Sequence, residues 1–192
     1  MLPITAVLVV GAASNADARP RPSHSIRKRF ESNKGFGLGL ELGAPTAITG
    51  KYWLGEGSDR ALQFGVGYMD YYYDWRGFTA YGDYLVHLVS LASTESFELP
   101  FYIGGGIQYW YWQDYSFSGL GCNPGAGIYC SGNALGARVP IGISFDFNNV
   151  PLDVFLQLTP SLDFFFGEPG DYPHGFVQFI IGASVGIRYY FN

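Results

Sequence analysis

The chain has 192 residues and a formal net charge of −5, and only 14% of its residues are charged. An apolar fraction of 48% excludes a disordered chain, and 27 glycines with 16 phenylalanines and 15 tyrosines exclude a coiled coil or a helical bundle. The acidic balance gives no nucleic-acid footprint, the 2 cysteines form no zinc motif, and we predict neither a metal nor a cofactor.

The first 34 residues have the pattern of an export signal followed by a linker. An apolar stretch runs from Leu2 to Ala13, and Ala16-Asp17-Ala18 then supplies an A-x-A cleavage site. The stretch is shorter than the ~20 apolar residues that span a bilayer. Prolines, serines and basic residues dominate the part that follows. We predict a signal peptide over 1–18, a flexible basic arm over 19–34 and one domain over 35–192.

From residue 35 onward, large apolar residues alternate with small or polar ones, which is the period of a β-strand. The clearest stretches are GFGLGLEL, ALGARVPIGISFDF and the C-terminal segment from Val177. Weaker alternation is present near residues 46–54, 60–72, 78–91, 98–112 and 151–165. Each of these eight segments is long enough for a tilted transmembrane β-strand of ~9–11 residues.

The small and polar half of the alternation indicates which side of the sheet faces inward. It consists mainly of Gly, Ser, Gln and isolated charges, whereas a strand facing water should carry Lys, Glu and Thr. Small residues suit the lumen of a narrow eight-stranded barrel, and a sheet in lipid must close because each unpaired edge group costs several kcal/mol. We therefore predict an all-β, eight-stranded, antiparallel, up-and-down transmembrane barrel. The alternative is a soluble barrel of lipocalin type, with the large residues inside.

The lengths of the connections predict the orientation of the barrel. Outer-membrane barrels have short periplasmic turns and longer outer loops. With periplasmic termini, three of the four outer connections are long or rich in aromatics and glycine, whereas the first, around Ala44-Pro45, is very short. We predict periplasmic termini, outer-membrane lipid as the partner of the apolar face, and a monomer.

The C-terminal stretch SVGIRYYFN has a recognisable spacing of small or polar and aromatic residues. Its positions are Ser184, Gly186, Tyr189 and Phe191. The stretch resembles the terminal β-signal by which the barrel assembly machinery recognises bacterial outer-membrane proteins, from which it departs by the final Asn192. Residues 35–192 resemble the small barrels of the OmpA/OmpX type, and GLELGAPTAITGKYWL is similar to a segment of uncharacterised barrels first noted in spirochaetes. The resemblance implies an outer-membrane location and that machinery as a partner, but no activity.

The inward positions contain charged residues, and charges in a dry interior must pair. The predicted network consists of Glu41, Lys51, Asp83, His87, Arg138, Asp146, Asp153, Asp163 and Arg188. We interpret it as a salt-bridge plug, in which Arg138 is within reach of Asp163. A gated ion path or a general acid/base pair is the alternative.

A tight turn at NNVP would place two carboxylates opposite each other, those of Asp146 and Asp153. Because two facing carboxylates repel, we expect Arg188 or Lys51 to lie between them, or one of the two carboxyls to have a raised pKa.

The predicted outer loops contain the candidates for contact with the surroundings. Cys122 and Cys130 lie in the longest loop, and an exported protein meets oxidising conditions, so we predict a disulfide between them. A reactive thiol pair or a metal site is the alternative. The candidates for a contact patch with an extracellular ligand or surface are Tyr71, Tyr72, Tyr73 and Trp75. These aromatics fit an extended membrane-interface girdle equally well.

The sequence favours a structural or adhesin-like role and no enzymatic activity. A narrow pore is the first alternative. The second is a lipid-A-modifying enzyme, which would use a Ser, a His and an acid. Its histidine candidates are His24, His87 and His174, and no Ser-His-acid spacing stands out around them.

Overall fold

The computed structural model describes residues 32, 34–71, 75–114, 130–167 and 176–191. The predicted signal peptide and most of the predicted arm lie outside these residues. The described residues form β1 (Phe36–Gly43), β2 (Thr46–Trp53), β3 (Arg60–Tyr71), β4 (Trp75–Ser93), β5 (Phe97–Asp114), β6 (Cys130–Arg138), β7 (Ile141–Phe147), β8 (Leu152–Gly167) and β9 (Phe176–Phe191). Within them, no helix has the length and hydropathy that a membrane span requires.

The strands form one antiparallel sheet that closes into a ring. Neighbours along the chain pair from β1 to β5, β8 pairs with β9, and β6 and β7 both lie between β5 and β8. The ring closes where the first strand meets the last, in a register that runs from Phe36 opposite Phe191 to Gly43 opposite Ser184. The predicted all-β, up-and-down antiparallel barrel is confirmed.

The sixth predicted strand is interrupted, so the ring of eight positions contains nine strand segments. The break falls at Val139 and Pro140, between β6 and β7. Proline has no N–H to donate to a neighbouring strand. The carbonyl of Pro140 still accepts a hydrogen bond from the backbone N–H of Gly104 at 2.8 Å. The single predicted segment ALGARVPIGISFDF is therefore two strands in line at one position of the ring.

Burial alternates along the strands, with large apolar side chains outside. Outward residues such as Leu40, Ile107 and Val177 are 59%, 65% and 63% exposed, whereas the inward Lys51 and Arg188 are fully buried. This is the predicted orientation, and the lipocalin-type arrangement with large residues inside is wrong.

The interior has an apolar cluster toward each end, and polar residues lie between the clusters and among the aromatic side chains of one end. We call the end with the connections β2–β3, β4–β5 and β7–β8 the terminus end, because β1 begins and β9 ends there, and the opposite one the far end. The terminus-end cluster contains Trp53, Ala61, Leu85, Tyr102 and Tyr190. The far-end cluster contains Met69, Trp110, Ala134, Phe165 and Ile180.

Candidate functional site: the polar interior of the barrel

The structure places the eight charged residues and the one histidine of the predicted network inside the barrel, each at most 8% exposed. They come from almost every strand and meet in the lumen because their positions share one parity of the alternation. They form a central group and a terminus-end group.

The central group is organised around the carboxylate of Glu41 on β1. It accepts a hydrogen bond from the Tyr81 hydroxyl of β4, and another at 2.5 Å from the Ser184 hydroxyl of β9. The Thr49 hydroxyl lies 3.1 Å from the Tyr81 hydroxyl oxygen. A fully buried carboxylate thus has hydrogen-bond donors on two sides, which buried charges require.

Arg138 connects the central group to the β5–β8 side of the barrel. Its Nε lies 3.1 Å from Asp83 Oδ1, and its guanidinium carbon lies 4.0 Å from the centre of the Tyr81 ring. Its Nη1 donates to Gln108 Oε1 at 3.3 Å, and the Gln108 amide donates to Asp163 at 2.8 Å. Arg138 is thus linked to Asp163 through Gln108, while its ion pair is with Asp83.

The terminus-end group is organised around Asp153 on β8. Its carboxylate accepts hydrogen bonds from Arg188 Nε at 3.0 Å and from the Tyr190 hydroxyl at 2.7 Å. Lys51 Nζ lies 3.9 Å from the same carboxylate, and Arg188 Nη1 donates to Gln63 at 2.9 Å. One buried carboxylate therefore faces two buried cations.

His87 is held between a donor and an acceptor at the terminus end. Lys51 Nζ lies 2.9 Å from its Nε2, and the carbonyl of Asp59 lies 3.1 Å from its Nδ1. An ammonium only donates and a carbonyl only accepts, so these partners select the neutral ring with the proton on Nδ1. The rings of Trp53 and Tyr102 pack on it, with centroids 4.4 and 5.4 Å away. His87 is thus a packed interior group, away from the outward face where a lipid substrate would lie.

The hairpin between β7 and β8 has the predicted register, with Asp146 opposite Asp153. The cation of Asp146 is neither Arg188 nor Lys51, which both lie at Asp153. It is Lys34, whose ammonium contacts the Asp146 carboxylate and the carbonyl oxygens that precede and follow the turn.

Sequence reasoning missed Lys34 by assigning it to the flexible arm. Its Nζ lies 3.2 Å from the Phe147 carbonyl oxygen, 3.0 Å from that of Leu152 and 5.1 Å from the centre of the Tyr190 ring. Ser32 also forms a bridge with Ser58 in the β2–β3 connection. In the sequence, Lys34 comes directly before the first alternating segment, and this position is the signal that places it at the mouth of the barrel.

Interior aromatic rings lie over glycines of the neighbouring strand. Tyr81 is opposite Gly65 and Phe155 is opposite Gly186. The Arg188 guanidinium carbon then lies 4.0 Å from the centre of the Phe155 ring, as that of Arg138 does over Tyr81. These glycines make room for the rings on which both arginines stack.

We expect Gly65→Ala to destabilise the barrel by about 1–3 kcal/mol, because a Cβ at this position would lie 2.5 Å from carbons of the Tyr81 ring. The control is Gly105→Ala, since a Cβ there meets nothing within 4 Å and should change stability by less than about 0.5 kcal/mol. Urea unfolding in lipid vesicles measures both variants. Equal effects of the two would contradict the role of Tyr81 packing.

The residues that resemble the assembly signal lie on both faces of β9. Ser184 and Gly186 face the lumen, where Ser184 binds Glu41. Tyr189 and Phe191 face outward and are 49% and 54% exposed.

The predicted surface contacts lie mostly outside the described residues. Tyr72, Tyr73 and Cys122 are not among them. Tyr71 ends β3, Trp75 begins β4 and Cys130 begins β6, and their backbones alone are described. The contact patch and the Cys122–Cys130 disulfide stay predictions.

The described interior holds paired charges and a small cavity. The cavity has a volume of about 10 Å³, room for about one water molecule, and Arg138, Gln108, Thr159 and Ser161 line it. Among the residues described, no three or more His, Cys, Asp or Glu side chains are grouped so that they could hold a metal ion.

Comparison with known proteins adds little to this geometry. No protein-family model and no curated protein matches the chain. Among solved structures, the N-terminal β-barrel domain of Pseudomonas aeruginosa OprF is similar, with a TM-score of 0.46 and 14% identity, over 81% of this chain and 95% of that one. The chain's own strand pairing shows that this protein is a closed antiparallel β-barrel.

Proposed function

We propose that this protein is an integral outer-membrane β-barrel with a structural or surface-interaction role and a lumen closed by its internal charge network. The observation that carries the proposal is its inverted polarity. Buried ion pairs such as Arg188–Asp153 occupy the interior, whereas Leu40, Ile107 and Val177 are more than half exposed on the outside. In water such a large exposed apolar surface would cause the protein to aggregate, whereas in a membrane it lies against the lipid chains.

Outward aromatic residues near both ends support the membrane assignment. Toward the far end lie Tyr68, Tyr111 and Phe164, and toward the terminus end lie Tyr52 and Tyr189. Transmembrane barrels carry such girdles at the two membrane interfaces.

The pairing of the interior charges supports a closed lumen rather than a pore. Arg138 lies 3.1 Å from Asp83 and Arg188 lies 3.0 Å from Asp153, and each guanidinium stacks on an aromatic ring. An ion crossing the lumen would have to separate these buried pairs, which is costly. Eight strand positions also leave room only for side chains.

The lengths of the connections support the far end as the contact face. The two longest connections, 115–129 and 168–175, are at the far end, which also has the short connections 44–45 and 72–74. The terminus end has the connections 54–59, 94–96 and 148–151. Long outer loops are typical of the extracellular side. The surface role is therefore assigned to these loops and to the aromatic patch that begins at Tyr71.

Conductance and localisation test the membrane assignment and the closed lumen. We expect the protein to fractionate with the outer membrane and to give no discrete conductance steps after reconstitution into a planar bilayer. Steps from the wild-type protein would favour the narrow pore. Recovery of a folded protein from the soluble periplasm without detergent would contradict the membrane assignment.

The surface role is tested on intact cells. We expect wild-type cells to bind an extracellular matrix or cell surface more strongly than cells in which Tyr71, Tyr72 and Tyr73 are replaced by serine. Equal binding with equal surface expression would contradict the patch. Mass spectrometry of lipid A tests the enzyme alternative, which predicts a loss of lipid modification in His87→Ala or His174→Ala.

A further inference from the structure

The first and last strands meet at a seam that has little apolar packing on its inner side. We call the β1–β9 pairing the seam; it has eight register pairs. The inward positions of β1 are Gly37, Gly39 and Glu41, of which only Glu41 has a side chain that reaches the lumen. The Tyr190 ring covers Gly37, where a Cβ would lie 2.8 Å from it. On its inner side, β1 therefore contributes no apolar side chain to the seam, which has the backbone pairing and the Tyr190 ring over Gly37.

Polar contacts cross the seam at two heights. In the centre, the Ser184 hydroxyl of β9 donates to the Glu41 carboxylate of β1 at 2.5 Å. At the mouth, the ammonium of Lys34, which precedes β1, binds the carboxylate of Asp146 on β7.

Two further contacts cross the seam between these heights. Lys51 of β2 lies 3.9 Å from Asp153 of β8, and Arg188 of β9 donates to Gln63 of β3 at 2.9 Å. In both pairs, the shorter way round the ring leads through the β1–β9 junction.

We propose that the terminus-end polar network is a lock that holds the β1–β9 seam closed. The two carboxylates Asp146 and Asp153 face each other on the β7–β8 hairpin and repel when the seam is open. Lys34 and Lys51, both on the β1 side of the seam, are brought beside them by closure. Arg188 of β9 stays beside Asp153 when the seam is open, because β8 and β9 are neighbours. Closure adds Lys51 to Asp153 and supplies Asp146 with its cation, Lys34.

A second ion pair of the same type provides a matched comparison. Asp83 and Arg138 are as buried as Asp153 and Arg188, and each arginine lies 4.0 Å above an aromatic ring. Asp83 and Arg138 connect β4 to β6, on the part of the ring away from the seam. A lock predicts that loss of Asp153 speeds exchange on β1, which carries none of its partners. A loss of local packing alone would speed exchange only on the strands that Asp153 and its partners occupy.

Hydrogen–deuterium exchange in lipid nanodiscs tests the lock on the whole barrel. We expect Asp153→Asn and Lys34→Gln to speed exchange of the β1 and β9 amides at least about tenfold, with less than about twofold change in β3–β5. The matched control Asp83→Asn should leave exchange at the seam at the wild-type rate and speed it in β4–β6.

The lock is wrong if neither seam variant speeds exchange on β1, if Asp153→Asn speeds it on β9 alone, or if Asp83→Asn speeds it at the seam equally. It is also wrong if Asp153→Asn loosens all strands alike. Lys34 precedes the first strand, so Lys34→Gln carries the test if Asp153→Asn does not fold.

Discussion

Replacing Asp153 by alanine is expected to destabilise the barrel by about 3–5 kcal/mol. The substitution leaves Arg188 and Lys51 as fully buried cations without the carboxylate that both face. The Tyr190 hydroxyl also loses its acceptor at 2.7 Å. Leaving a buried charge without its partner is more costly than removing a whole ion pair, because the remaining charge keeps its desolvation penalty. Urea unfolding in lipid vesicles measures the loss.

Two further variants test the origin of this loss. Arg60 pairs with Asp59 at an N–O distance of 3.7 Å, and because the Arg60 side chain is 57% exposed, Arg60→Ala should cost less than about 1 kcal/mol. Combining Asp153→Leu with Arg188→Met and Lys51→Met removes the carboxylate and both cations that face it, and should recover most of the stability. A triple variant no more stable than Asp153→Ala would show that charge burial is not the cause.

The sequence could predict which residues of each strand face the lumen, because the alternation of side chains along a strand is a local property. A residue such as Arg188 lies two positions from Gly186 and Tyr190 on the same face, whichever strand becomes its neighbour. The facing of Asp146 and Asp153 was also predictable, since a short turn determines the register of a hairpin.

Partners from distant strands could not be predicted in the same way. Asp83 and Arg138 belong to β4 and β6, which are not neighbours, and their meeting depends on how far each side chain reaches across the lumen. Lys34 has no alternation on its N-terminal side to indicate a strand, and only closure of the ring brings it to Asp146.

The break at Pro140 shows a different limit of alternation. Side-chain parity continues from Arg138 through Pro140 to Gly142, all of which are buried, so the pattern reads as one strand. Strand assignment depends on backbone N–H groups, and proline has none. The alternation of side chains therefore predicted correctly which residues of this segment face the lumen. It did not predict the gap that Pro140 leaves in the backbone hydrogen bonds of the sheet.

Placing arginine in the outward apolar belt is expected to cost about 2–4 kcal/mol in a bilayer. Leu158 lies near the middle of β8, faces outward and is 52% exposed, so Leu158→Arg disrupts no interior contact. Lipid cannot solvate a guanidinium as water does, so the bilayer is the source of the penalty. Unfolding by urea in lipid vesicles measures it.

The matched control is Val150→Arg, on the connection that leads into the same strand. Val150 is 43% exposed but lies in the turn at the terminus end, where an arginine reaches water and should cost at most about 1 kcal/mol. A barrel in water would tolerate arginine at both positions, because both side chains are already exposed. Equal effects of the two variants would therefore contradict the membrane assignment, whereas a penalty at Leu158 alone requires an apolar medium around the middle of the barrel.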